Sequence, residues 1–149
     1  MKTLIRLMLF GFVFAIGAAV ASAEMPGQHP TYMHGLADLR AARAHLDFHS
    51  PNEKRDAEED HAIHEIDAAI DAAQRAAAKD GKDLKQGEPI DVRLARTDRY
   101  VKAIQLLDSG RRNIAAREDN PHARDNQNEA VGHIDAAMHI VGDLQRKYH

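Results

Sequence analysis

The stretch "HAIHEIDAAIDAA", His61–Ala73, and a related one, "GHIDAAMHIVGDL", Gly132–Leu144, decide the fold. In the first, Ile63, Ile66, Ile70 and Ala73 recur three and four residues apart, the spacing of one helix face. The second repeats it at an offset of 68 residues, so that Ile66-Asp67-Ala68-Ala69 meets Ile134-Asp135-Ala136-Ala137. Carried outward without a gap, the same offset pairs Tyr32 with Tyr100, Leu39 with Leu107, Arg43 with Arg111 and Asn52 with Asn120. Apolar matches accompany these identities: Leu36 with Ile104, Leu46 with Ile114, Ile63 with Val131, Ile70 with Met138. A helical hairpin that cannot bury its apolar face alone is doubled, and each copy is expected to cover the other.

Proline and glycine punctuate the pattern at "MPGQHP" (25–30), "SPN" (50–52), "KDGKDLKQGEP" (79–89) and "EDNP" (118–121). The intervening segments are rich in Ala, Leu, Ile, Arg and Glu and predict helices near 31–48, 56–79, 91–117 and 123–147. No stretch alternates in the manner of a strand. The expected fold is all-α: an antiparallel four-helix bundle built from a duplicated helical hairpin. Hairpin 1 spans about 31–79 and hairpin 2 about 91–147.

The first 23 residues, "MKTLIRLMLFGFVFAIGAAVASA", carry Lys2 and Arg6 ahead of an apolar run and end in Ala21-Ser22-Ala23. That is the pattern of a signal peptide, cut before Glu24, which leaves 24–149 as the bundle domain. The run is shorter than the ~20 residues a spanning helix needs, so a soluble exported chain without a membrane span is expected, periplasmic or secreted. There is no cysteine, which excludes disulfides, thiolate catalysis and thiolate metal sites. The formal charge of −3 becomes more negative when Lys2 and Arg6 are removed, and no basic face forms; nucleic acid is not an expected partner.

Two polar positions repeat between the hairpins, Arg43/Arg111 and Asp67/Asp135. In a hairpin turning near Asn52 they lie within reach of each other, and an Arg–Asp pair is expected in each copy.

The ten histidines are many for a chain of this size. His61 and His64 face away from the apolar side of their helix, and Asp60, His64, Asp67 and Asp71 form one outward ridge. At the loop end of hairpin 1, His45 and His49 stand four apart, and antiparallel pairing sets His45 level with Asp60 and His61. Imidazoles grouped with a carboxylate suit copper, nickel or zinc. The candidate ligands are therefore His45, His49, His61, His64 and Asp60. The second copy replaces His45 by Asn113, His61 by Glu129 and His64 by Gly132, so such a site belongs to one half only. The competing reading is ordinary hydrogen bonding on a helix surface, in a structural or protein-interaction module of the cell envelope that holds no metal.

Catalysis finds little support. Ser50 and Ser109 are the only serines beyond the leader, and neither sits in a nucleophile elbow. Glu58-x-x-His61 has the spacing of di-metal carboxylate bundles, but the second half has no counterpart. The chain reads as a binder, not an enzyme.

"HPTYMHGLADLRAAR" (29–43) with "EDNPHARDNQNEAVGHIDAA" (118–137) resembles a group of bacterial secreted helical proteins of unknown function, marked by His-Pro-x-Tyr and Leu-Arg-x-x-Arg. The resemblance covers most of residues 24–149 and implies an exported helical bundle. More loosely, "AVGHIDAAMH" (130–139) is similar to small His-rich periplasmic four-helix proteins, which implies metal binding. In geometry the chain also resembles periplasmic four-helix b-type cytochromes, with Met33 and either His139 or His149 in the positions of haem ligands. That likeness implies non-covalent haem as a further alternative.

Overall fold

A computed structural model describes residues 31–79 and 90–149. The expected leader, 1–23, and most of the segment between the two hairpins lie outside the described residues. Four helices and no strand occur among the described residues: α1, Tyr32–Asp47; α2, Ala57–Lys79; α3, Arg96–Ile114; α4, Pro121–Tyr148. None of them is long and apolar enough to cross a membrane.

Each helix buries one stripe. On α1 it is Tyr32, Leu36, Leu39, Ala42 and Leu46, and on α3 it is Tyr100, Ala103, Leu107 and Ile114. The stripe of α2 is mostly alanine around Ile63 and Ile66; that of α4 alternates Ala123, Ala130 and Ala137 with Ile134, Val141 and Leu144. Small side chains let these two axes approach closely, and α2 with α4 is the most extensive pairing, followed by α1 with α3. Each fully buried Leu or Ile contributes about 1.5–3 kcal/mol through removal from water.

The start of α1 meets the end of α3, where the Thr31 N–H donates to the Asn113 carbonyl at 3.2 Å. The end of α1 meets the start of α3, where Arg99 Nε donates to the His45 carbonyl at 3.2 Å. Likewise Lys147, near the end of α4, bonds Asp56 ahead of α2, while Arg75, late in α2, reaches Asn126 and Glu129 early in α4.

Glycine fixes one crossing. A Cβ on Gly35 would lie 2.6 Å from Cγ1 of Ile114 and 3.3 Å from the Gly110 carbonyl oxygen. A Cβ on Gly110 would lie 3.2 Å from the Gly35 oxygen, so α1 and α3 touch through bare backbone here.

Local chemistry sets the helix ends. Asp56 and Glu59 form a capping box at the start of α2: Asp56 Oδ1 accepts the Glu58 N–H at 3.1 Å and Glu59 Oε2 accepts the Asp56 N–H at 2.7 Å. Asn120 caps α4 by accepting the His122 N–H at 3.0 Å, with Pro121 in the first turn. Helix α3 starts later than its composition predicts. Asp91 Oδ1 takes the Arg93 N–H at 3.0 Å, and the Leu94 N–H bonds the Val92 carbonyl at 2.9 Å; this turn competes with helix. The same helix ends early because the Gln127 amide reaches across to the Ile114 and Ala116 carbonyls, both at 2.6 Å, satisfying groups that a continuing helix would have used.

The expected Arg–Asp pairs are present, and both are two-pronged. Arg43 meets Asp67 at 2.6 and 3.3 Å, and Arg111 meets Asp135 at 2.6 and 3.2 Å.

Candidate functional site

The residues singled out from sequence do not converge. His45 is buried, 2 % exposed, and its Nδ1 has no hydrogen-bond partner among the described residues. The sequence reading set it level with Asp60 and His61 by considering only the pairing of α1 with α2. In the structure α1 also buries a flank against α3, and His45 lies on that flank with its carbonyl held by Arg99. Burial, then the Lys102 and Arg99 charges, push the His45 imidazole below its ordinary range, against a smaller pull from Asp91.

His49 lies with Nδ1 2.9 Å from the Asp47 carbonyl and Nε2 3.1 Å from Glu59 Oε2, so both ring nitrogens are engaged. Asp60 is paired with Arg55, which also holds Asp47. His61 and His64 are exposed on α2, as the sequence implied. Among the described residues no group of three or more His, Asp or Glu side chains stands ready to hold a metal ion. Met33 is exposed, as are His139, which stands beside Asp143, and His149.

Two other clusters are built by the fold. The first closes one end of the bundle. Glu59, wholly buried, accepts the Asp56 N–H, the Tyr100 hydroxyl and Arg96 Nε at 3.3 Å, beside His49. Arg96 also reaches the Tyr100 oxygen at 2.6 Å, Glu53 at 3.2 Å and the Lys54 carbonyl at 3.1 Å. The buried Arg99 guanidinium spends its donors on the His45 and Leu94 carbonyls and on Glu53. The last turn of α4 covers this network: the Tyr148 ring stacks 3.9 Å from the Arg96 guanidinium, and its hydroxyl donates to Asp56 at 2.7 Å beside Lys147 at 2.8 Å.

Electrostatics follow from these contacts. Burial pushes the Glu59 carboxyl up, but the donors from Asp56, Tyr100, His49 and Arg96 outweigh it and hold the group below the ordinary range. Lys147, Tyr148 and the Glu58 N–H hold Asp56 well below the carboxylate range. Burial, with the neighbouring Glu59, pushes the Tyr100 phenol well up. Glu53 and Glu59 face Arg96 and Arg99, and Asp56 holds Lys147 and Tyr148, an arrangement that clamps the last turn of α4 to the start of α2. Sequence reading placed Asp60 in this neighbourhood and passed over Glu59, whose signal was its place three residues after Asp56 in a capping box.

The second cluster lies on the α2–α4 seam. Glu65 Oε2 accepts from His133 Nδ1 at 2.7 Å, and Glu65 Oε1 stands 3.6 Å from Nε2 of His61, one turn earlier on α2. The His133 hydrogen bond is the main reason the Glu65 carboxyl sits below its ordinary range, with His61 and His64 adding smaller pulls. Glu65 and His133 occupy the same place in the 68-residue repeat, the one signal that could have brought them together in advance.

Compared with known proteins, the chain matches no family model, no curated protein and no solved structure.

Proposed function

We propose that this chain is an exported, non-enzymatic binding protein that holds a divalent transition metal (copper, nickel or zinc) through histidines and carboxylates on its helix surfaces. Export rests on the leader pattern of residues 1–23. The scaffold in this reading is an antiparallel bundle made from a duplicated hairpin. Support comes from the Arg43–Asp67 contact, which recurs at the repeat offset as Arg111–Asp135, and from the buried counterparts Tyr32 and Tyr100, each of which donates to a glutamate.

The observation that carries the metal reading is the pairing of imidazole with carboxylate at solvent-accessible places: His61 with Glu65, Glu65 with His133, and His139 with Asp143. Each couples a borderline nitrogen donor to an anionic oxygen donor, the ligand types that zinc, nickel and copper accept. Residues 24–149, produced without a histidine tag, test the reading by calorimetric titration with Cu(II), Ni(II) and Zn(II) at pH 7. Saturable binding at about micromolar or tighter, lost at pH 5 where protons compete for imidazole, is the expected result. A flat or millimolar trace overturns it and leaves the envelope interaction module as the better reading.

A further inference from the structure

We propose that His61, Glu65 and His133 form one interhelical site for a divalent transition metal, which ties α2 to α4. The inference rests on the metal reading above and names its place.

Two imidazole nitrogens and a carboxylate make a catalogue set for zinc, and equally suit nickel or copper, with the remaining position open to water. The carboxylate of Glu65 touches both rings, with Oε2 2.7 Å from Nδ1 of His133 and Oε1 3.6 Å from Nε2 of His61. Bonds of about 2.0–2.2 Å at tetrahedral angles set neighbouring donors about 3.4 Å apart. The His61 distance is close to that value. The His133 contact is shorter because a proton, not a metal, lies between nitrogen and oxygen. Replacing that proton by a cation asks His133 and Glu65 to part by less than an ångström and the two imidazoles to turn toward one side of the carboxylate, which surface side chains do by rotamer changes.

The surroundings leave the site accessible. The side chains of Glu65, His133 and His61 are 18 %, 35 % and 62 % exposed, so the seam opens progressively to solvent. Glu129, the repeat counterpart of His61, is drawn away to Arg75 at 2.8 Å and does not compete. Because Glu65 and His133 are repeat counterparts that face each other, a pseudo-symmetric bundle makes this contact once, and one metal per chain is expected. Divergence of the two copies has put a carboxylate on one side of the seam and an imidazole on the other.

The test uses residues 24–149 without a tag, titrated with Zn(II), Ni(II) and Cu(II), alongside His133→Ala, Glu65→Gln and His139→Ala, with helicity checked by circular dichroism. Expected are one equivalent bound per chain, loss of at least about tenfold in affinity for the first two variants, and none for His139→Ala. The metal should also raise the melting temperature of the parent chain and not that of Glu65→Gln, which keeps shape while losing charge. Binding by the parent that survives both His133→Ala and Glu65→Gln overturns the site and leaves the metal reading standing. Absence of binding by the parent overturns both.

Discussion

At the scale of single residues, burial has turned two polar side chains into structural parts. Glu59 holds the Tyr100 hydroxyl, Arg96 and the start of α2 with one carboxylate. Glu59→Ala should therefore cost about 3–5 kcal/mol in urea unfolding, because it leaves buried cationic and hydroxyl donors unpaired. Tyr100→Phe, which removes one donor and keeps the ring, should cost about 1.5–3 kcal/mol. His45 acts through protons. Its folded-state pKa lies below the ordinary 6.5, so the unfolded chain takes up the proton first on acidification. Stability is expected to fall as pH drops through about 6.5 and to keep falling until the folded pKa is reached. His45→Gln should flatten that limb of a pH series of urea midpoints. Glu59 and Asp56 have lowered folded values, so their stabilisation is present above the ordinary carboxylate range and lost only at more acidic pH, separating the two effects. None of this was legible from residue type: a histidine at position 45 reads as a surface ligand until α3 is laid over it.

At the scale of elements, α1, α2 and α4 agree with the expected bounds to within a residue or two, because their ends carry short-range signals: Ser-Pro after α1, the Asp56–Glu59 box, Asn120-Pro121. Helix α3 differs at both ends. Its first expected residues form an Asp91 turn, and its last carbonyls are claimed by Gln127 from another helix. Glycines on the helices give a direct test of local against tertiary effects. At Gly132 nothing lies within 4 Å of an added Cβ, so Gly132→Ala should stabilise by about 0.5–1 kcal/mol through helix propensity. At Gly35 the same gain is opposed by a 2.6 Å clash with Ile114 against the Gly110 backbone, and overpacking costs about 1–3 kcal/mol. Thermal unfolding should place Gly35→Ala below the parent and Gly132→Ala above it.

At the scale of the whole molecule, the last turn of α4 is tied to the starts of α2 and α3: Lys147 and Tyr148 bind Asp56 and cover Arg96. Removing residues 147–149 should leave the fold intact and speed amide exchange selectively in 53–60, as read by mass spectrometry; uniform exchange across all four helices would contradict a local clamp. Hydrophobic periodicity and helix breakers determined from sequence alone the four helices found among the described residues, since those signals act over a few residues. The Arg43–Asp67 and Arg111–Asp135 pairs were legible for the same reason, each lying within one hairpin. Which flank of α1 is covered, that His45 lies beneath α3, that Glu59 is buried among arginines, and that Glu65 faces His133 were decided only by packing between hairpins. Those contacts depend on how far each helix is rotated about its axis, and α1 and α2 each bury flanks against two neighbours, so an apolar stripe sets that rotation too loosely to say which polar residue at its edge is covered.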